Sequence, residues 1–295
     1  MHRASSIVVI VLCAALTGSA QTSSLRATLD SIAGGIQAKT GVAVYGIESP
    51  DTLTVGGSGR YPMQSVYKFP LAVAVLHAVD QGKLSLSQKV HIRKKDLLPN
   101  TWSPLREKYP GGNVDVTLDE IIRSTVAQSD NNGCDLLFRM MGGPAEVNRY
   151  IHSLGVTDIA IVNTEAEMHR DDSAQYRNWC APGAMALLLK KFYRGEVLAP
   201  STSAFLREVM EGTTTGPRRI KGLLPEGTVV AHKTGSSGLY GDIVPATNDV
   251  GVITLPDGRH LALVVFVTDA HEPEGMCEGF IARVARAVWD AHVRP

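Results

Sequence analysis

Ser65-Val66-Tyr67-Lys68 sets a hydroxyl and an amine three residues apart. A serine hydroxyl is a weak nucleophile until a base stands within hydrogen-bonding reach, and residues i and i+3 share a face of a helix. Lys68 can therefore point back at Ser65. Its neighbours Val66, Phe69 and Leu71 are apolar, which disfavours a charged ammonium and makes the amine a better proton acceptor. Two further short segments carry polar chemistry: Ser129-Asp130-Asn131, which follows a helical pattern, and Lys233-Thr234-Gly235, which ends a β-rich run. The glycine after Lys-Thr lets a ligand approach the strand edge closely. Taken singly, each segment reads as a helix start, a polar turn or a strand end.

Taken together and in this order, SxxK, SDN and KTG are the signature of class A β-lactamases and penicillin-binding proteins, and the chain resembles that superfamily. Class A enzymes also carry a loop glutamate that activates the deacylating water, usually followed four residues later by asparagine. Here Asn163-Thr164-Glu165-Ala166-Glu167-Met168-His169 lies between SDN and KTG. Glu165 is the expected base and Glu167 the competing choice; His169 stands where the asparagine usually does. That departure is similar to the extended-spectrum PER and VEB type. The same branch is resembled by Leu98-Pro99-Asn100-Thr101-Trp102-Ser103-Pro104, Asn132-Gly133-Cys134-Asp135, Thr213-Thr214-Thr215-Gly216-Pro217-Arg218-Arg219 and Ala246-Thr247-Asn248-Asp249-Val250-Gly251-Val252.

The resemblance implies acyl transfer to Ser65 followed by hydrolysis. Lys68, or Glu165 acting through water, removes the Ser65 proton. The backbone N–H groups of Ser65 and Ser236 form an oxyanion hole, Ser129 relays a proton to the departing lactam nitrogen, and Asn131 holds the substrate's side-chain amide. Lys233 and Thr234, with Gly235 and Ser236 beside them, bind the substrate carboxylate, where a fixed positive charge and a hydroxyl donor are both useful. Arg219 is a second carboxylate partner or a surface arginine beside Arg218; Trp102 lines the cleft mouth or packs between Pro99 and Pro104. The implied substrates are penicillins and bulky cephalosporins. The rival activities within the superfamily are a D,D-peptidase, a non-turnover β-lactam sensor and a catalytically dead homologue.

These residues need elements to hold them. Leu25, Leu29, Ile32 and Ile36 recur at helical spacing ahead of the β-rich Val42–Ile47. The pattern predicts a helix over 65–81, with Pro70 tolerated near its start. Thr117-Leu118-Asp119-Glu120 has the capping-box form, and a further helix is expected over 182–192 with proline in its first turn. Strands are expected at 229–233, 250–255 and 261–268, the last two joined by Pro256-Asp257-Gly258, before a final helix carrying Ile281, Val284 and Val288. The order predicts an α+β fold: an antiparallel sheet built from both chain ends, about 21–60 and 212–295, with an all-α lobe over about 61–211 inserted between them. A cleft between such lobes suits a small molecule.

Composition narrows the partners. The 295 residues include 29 Lys+Arg and 29 Asp+Glu, so no global field attracts nucleic acid or an anionic membrane. The nine histidines show no HxH or HExxH spacing, and neither a metal nor a cofactor is expected. His2 and Arg3 precede the apolar run Ile7–Leu16, and Gly18-Ser19-Ala20 precedes Gln21, the form of a cleaved signal peptide over 1–20. The run is shorter than the ~20 residues of a spanning helix. A periplasmic or secreted protein without a stable membrane anchor is expected, and a monomer. Of the cysteines left after cleavage, Cys134, Cys180 and Cys277, at most one pair can bridge, and buried free thiols are expected.

Overall fold

The computed structural model describes residues 22–293; the expected signal peptide lies outside them. Helix α1 (22–33) leads into β1 (Lys39–Gly46) and β2 (Thr52–Val55), then the short β3 (Tyr61–Pro62). A 3₁₀ turn, Gln64–Tyr67, precedes α2 (Lys68–Asp80). There follow β4 (Lys89–Ile92), α3 (Pro104–Lys108), β5 (Val114–Thr117), α4 (Leu118–Ala127), α5 (Asn131–Met140), α6 (Pro144–Ser153) and β6 (Ile159–Ala160). Next come α7 (Glu165–Arg170), β7 (Trp179–Cys180), α8 (Pro182–Tyr193) and α9 (Pro200–Glu211). The chain closes with β8 (Val230–Ser236), β9 (Val244–Thr254), β10 (His260–Ala270) and α10 (Glu274–Val293).

Five antiparallel strands form one sheet in the order β2-β1-β10-β9-β8, so strands from the two ends of the chain meet at the β1–β10 pairing. Both faces of this sheet are covered, which is why β10 reads as an unbroken apolar run rather than an alternating one. Ala262, Val264 and Phe266 face a core shared with α2, α4, α5 and α8. Leu261, Leu263, Val265 and Val267 face a second core closed by α1 and α10. Period-two alternation thus sends neighbouring residues into different cores.

Most of α2 is buried around its whole circumference, the mark of a helix in the middle of a protein. It begins later than its pattern suggests, because Pro70 has no N–H to close a regular first turn and the preceding residues tighten into 3₁₀ form. Only half of the capping box at Thr117 is made. Its Oγ1 accepts from Glu120 N at 3.3 Å, but the Glu120 carboxylate turns to Lys108 Nζ at 2.6 Å and the Tyr109 hydroxyl at 2.9 Å.

The segment expected to be wholly helical also contains the β4–β5 ribbon and the small β3-β7-β6 sheet. Within it, α8 lies against β1 and β10, because the sheet's apolar face needs a cover. Each of β8, β9 and β10 outruns its expected limits. Polar residues that look like strand ends, Thr247, Asn248 and Asp249 among them, are buried and paired.

Candidate active site

Ser65 sits in the 3₁₀ turn, and the strand β8 passes directly against it. A Cβ added to Gly235 would lie 2.4 Å from the Met63 carbonyl oxygen. The glycine of KTG is therefore required by the protein's own close packing and not only by the approach of a ligand. Asn248 fixes the turn from the other side: its Nδ2 donates to the carbonyls of Pro62 at 2.8 Å and Met63 at 3.2 Å, while its Oδ1 accepts from Val267 N. Three strands and the serine turn are locked together by one buried amide.

Lys68 is fully buried and its ammonium is surrounded by site residues. Nζ lies 3.0 Å from Ser65 Oγ, 2.9 Å from the Ser129 carbonyl, 2.5 Å from Asn131 Oδ1 and 2.9 Å from Glu165 Oε1. Lys233 approaches from β8 and donates to Ser129 Oγ at 2.8 Å and to the Thr234 carbonyl at 2.9 Å. Burial, reinforced by the charge of Lys68, pushes the Lys233 ammonium well below the ordinary lysine range. Ser129 thus touches both lysines, one through its carbonyl and one through its hydroxyl. Its backbone is left-handed, at φ +61°, a conformation uncommon outside glycine and concentrated at functional sites.

That backbone is held by Asp130. Its buried carboxylate accepts from Gly133 N at 2.7 Å, capping α5, and from Leu105 N at 2.6 Å and the Ser103 hydroxyl at 2.9 Å. Asn131 Nδ2 donates to Thr101 Oγ1 at 2.7 Å, and Asn131 N donates to the Trp102 carbonyl at 3.0 Å. The Trp102 ring is 57% exposed and its Nε1 donates to the Gln128 carbonyl at 2.7 Å. It is an exposed ring rather than an aromatic packed between Pro99 and Pro104.

The two loop glutamates separate cleanly. Glu167 turns back on the start of α7, its Oε2 accepting from Thr164 N at 2.8 Å and Thr164 Oγ1 at 3.1 Å. It closes a capping box there, and those bonds hold its carboxyl below the usual range. Glu165 is left to face Lys68. Its placement depends on Asp135, a residue without an assigned role in the sequence reading, whose oxygens accept from Glu165 N at 2.8 Å and Ala166 N at 2.9 Å. Burial and the neighbouring Glu165 charge raise the Asp135 carboxyl to about 6. Asn178 secures the other side of the loop, accepting from Val162 N and Asn163 N and donating to the Asn163 carbonyl. His169 is exposed, one helical turn beyond Glu165. Every peptide bond among the described residues is trans.

On the remaining wall, Thr234 Oγ1 and Thr215 Oγ1 share a hydrogen bond at 2.6 Å, while Thr213 Oγ1 donates to the His232 carbonyl at 2.7 Å. The TTTGP loop is thereby sewn to β8. Ser237 N bonds to Ala246 O on β9 at 3.0 Å. Since successive N–H groups of a strand point to opposite sides, Ser236 N points away from β9, off the edge of the sheet. Arg219 is neither a surface residue nor a free cation. Only 3% exposed, it donates from Nη2 to Ser236 Oγ at 2.6 Å and to Glu274 Oε1 at 3.0 Å. Its Nη1 donates to the carbonyls of Asn248 at 2.9 Å and Gly235 at 3.2 Å, and its Nε to Glu278 at 3.3 Å.

A serine beside a buried lysine, a second serine between two lysines and a carboxylate at the first lysine form a site suited to acyl transfer on an α+β scaffold. The sequence profile described as the beta-lactamase enzyme family matches residues 24–292, and the chain belongs to that family. It is a class A serine β-lactamase, a hydrolase that acts on β-lactams. It is 45% identical to the extended-spectrum beta-lactamase PER-1 of Pseudomonas aeruginosa, over 94% of this chain and 90% of that protein. It is 42% identical to beta-lactamase VEB-1 of the same organism, over 93% of this chain and 92% of that one. The crystal structure of the TLA-3 extended-spectrum beta-lactamase matches with a TM-score of 0.91 at 50% identity, covering 92% of this chain and 100% of the other.

Proposed function

We propose that this enzyme opens the β-lactam amide through an acyl-enzyme on Ser65 and releases it with a water activated by Glu165. The observation that carries this reading is the Lys68 ammonium within 3.0 Å of Ser65 Oγ and 2.9 Å of Glu165 Oε1. If Lys68 first passes a proton to Glu165, its neutral amine takes the Ser65 proton as Oγ attacks; if Glu165 acts through water, the proton reaches the same carboxylate. The developing oxyanion is met by the N–H groups of Ser65 and Ser236, and removing one such donor typically costs ~10²–10³ in rate. As the C–N bond breaks, Ser129 gives its proton to the lactam nitrogen. Its oxygen accepts from Lys233 at 2.8 Å, which stabilises the hydroxyl as the proton leaves. Lys68 replaces the proton on Ser129 and recovers one from Glu165, so the carboxylate is ionised again. Glu165 then takes a proton from the water that attacks the ester and returns it to Ser65 Oγ as the ester C–O bond breaks.

Lys233, Thr234 and Arg219 serve the substrate carboxylate in this reading, with Gly235 and Ser236 forming the strand edge. Asn131 meets the side-chain amide, Trp102 walls the mouth, and His169 borders the water's side of the loop. The extended-spectrum names of PER-1 and TLA-3 support a substrate range that includes bulky cephalosporins. No helix among the described residues is long and apolar enough to cross a membrane; with the leader expected at 1–20, a monomer in the periplasm or outside the cell is the proposed form. The decisive experiment is Glu165→Ala treated with penicillin and followed by intact-mass spectrometry. An acyl adduct on Ser65 should accumulate while turnover falls ~10³-fold or more; wild-type turnover by the variant would overturn the role of Glu165. Wild-type enzyme releasing only one equivalent of product would instead identify a β-lactam trap.

A further inference from the structure

Arg219 has no donor left over for a substrate. Its five polar contacts are the two backbone carbonyls of Gly235 and Asn248, the hydroxyl of Ser236, and the carboxylates of Glu278 and Glu274. The two carboxylates are not equivalent. Glu278 is 8% exposed and is also gripped by Arg218, whose Nη2 lies 2.7 Å away; it is a fixed part of the core. Glu274 is 49% exposed, and the hydrogen bond to Arg219 is its one ion pair among the described residues. It also lies in the first turn of α10, where the helix dipole favours an anion with or without the arginine. Letting go of the guanidinium therefore leaves Glu274 solvated and still well placed. The same Nη2 that holds Glu274 also donates to Ser236 Oγ at 2.6 Å, at the exposed strand edge beside Lys233 and Thr234.

We propose that Glu274 is a specificity-determining residue: in the resting enzyme its carboxylate occupies the place on Arg219 that the substrate's own carboxylate takes. Binding of an anionic β-lactam then exchanges one carboxylate for another, so Arg219 supplies orientation at reduced net affinity. The exchange keeps the buried guanidinium paired at every stage, since a buried charge stripped of its partner is strongly destabilising. A β-lactam lacking the carboxylate leaves Glu274 where it is. This inference rests on the reading of Arg219 as a carboxylate partner.

The test is steady-state kinetics of Glu274→Gln on nitrocefin and on nitrocefin with its carboxyl group esterified. Losing a half-exposed competitor should lower KM for the acid about threefold, with kcat within about twofold and KM for the ester unchanged. An unchanged KM for the acid, or an equal fall for acid and ester, overturns the proposal. Glu274→Ser, which keeps a capping group at the helix start, carries the same expectation should the amide disturb α10. Arg219→Gln separates the two ideas. If it raises KM for the acid while Glu274→Gln leaves that KM unchanged, the exchange is wrong and the role of Arg219 stands. If Arg219→Gln leaves the acid's KM unchanged, the reading of Arg219 fails as well.

Discussion

In the proposed mechanism Ser65 gains its reactivity from contacts that reach it over very different chain distances. Lys68 is three residues away and arrives with the helix; the Ser129 loop, the Glu165 loop and β8 must be brought by folding. Gly235 is the narrowest of these junctions. With the Met63 oxygen 2.4 Å from the position of an added Cβ, the backbone of β8 or of the serine turn must shift to accept a methyl group. Gly235→Ala is expected to lower stability by ~1–3 kcal/mol in a denaturant titration. It should also cut kcat/KM at least tenfold, because the displaced strand carries Lys233 and the Ser236 N–H. Retention of wild-type kinetics would mean that the junction is softer than its geometry.

At the scale of elements, the site is a meeting of ends: the start of α2, the start of α5, the start of α7 and the end of β8. Helix starts bring unpaired N–H groups that need acceptors, and at α5 and α7 side-chain carboxylates supply them. Asp130 serves α5 and the Ser103–Leu105 turn together. Asp130→Ala leaves two buried N–H groups without partners, an expected loss of ~2–4 kcal/mol. Both the melting temperature and kcat should fall, the latter because the left-handed Ser129 loses its neighbour's anchor. A variant as stable as the wild type would show that water replaces the carboxylate. Asp135 performs the same service for α7 across 30 residues of sequence.

At the scale of the whole molecule, Asp135 also ties stability to pH. Its carboxyl is raised to about 6 by burial and by Glu165, whereas in an unfolded chain it titrates near ~4. Between those values the folded chain binds a proton that the unfolded chain does not. This group's contribution to stability is therefore present below the unfolded value and is lost as pH rises through 6. Urea unfolding of the wild type and of Asp135→Asn at pH 4.5 and pH 7 should differ in slope. The wild type is expected to gain roughly 1–2 kcal/mol more than the variant on acidification, and parallel profiles would rule the coupling out. Asn also has one acceptor oxygen for two N–H groups, so deacylation should slow in the variant. The thiols of Cys134, Cys180 and Cys277 are free and buried, matching the expectation of buried free thiols.

The sequence by itself determined what depends on neighbours three or four residues apart. The Ser65–Lys68 pair and the body of the central helix were legible because helix periodicity acts over that range, and the apolar runs of β9 and β10 because strands covered on both faces read as continuous apolar stretches. The order of the three motifs carried the family, and the order of helix and strand patterns carried the α+β architecture. Only the tertiary structure decided which glutamate faces Lys68, because Glu165 and Glu167 are chemically alike and differ by which one the Thr164 cap captures. It alone revealed Asn248 holding the serine turn from 186 residues away, and Arg219 already paired with two carboxylates of α10. Such contacts follow from how the sheet and helices pack, and no local spacing encodes them.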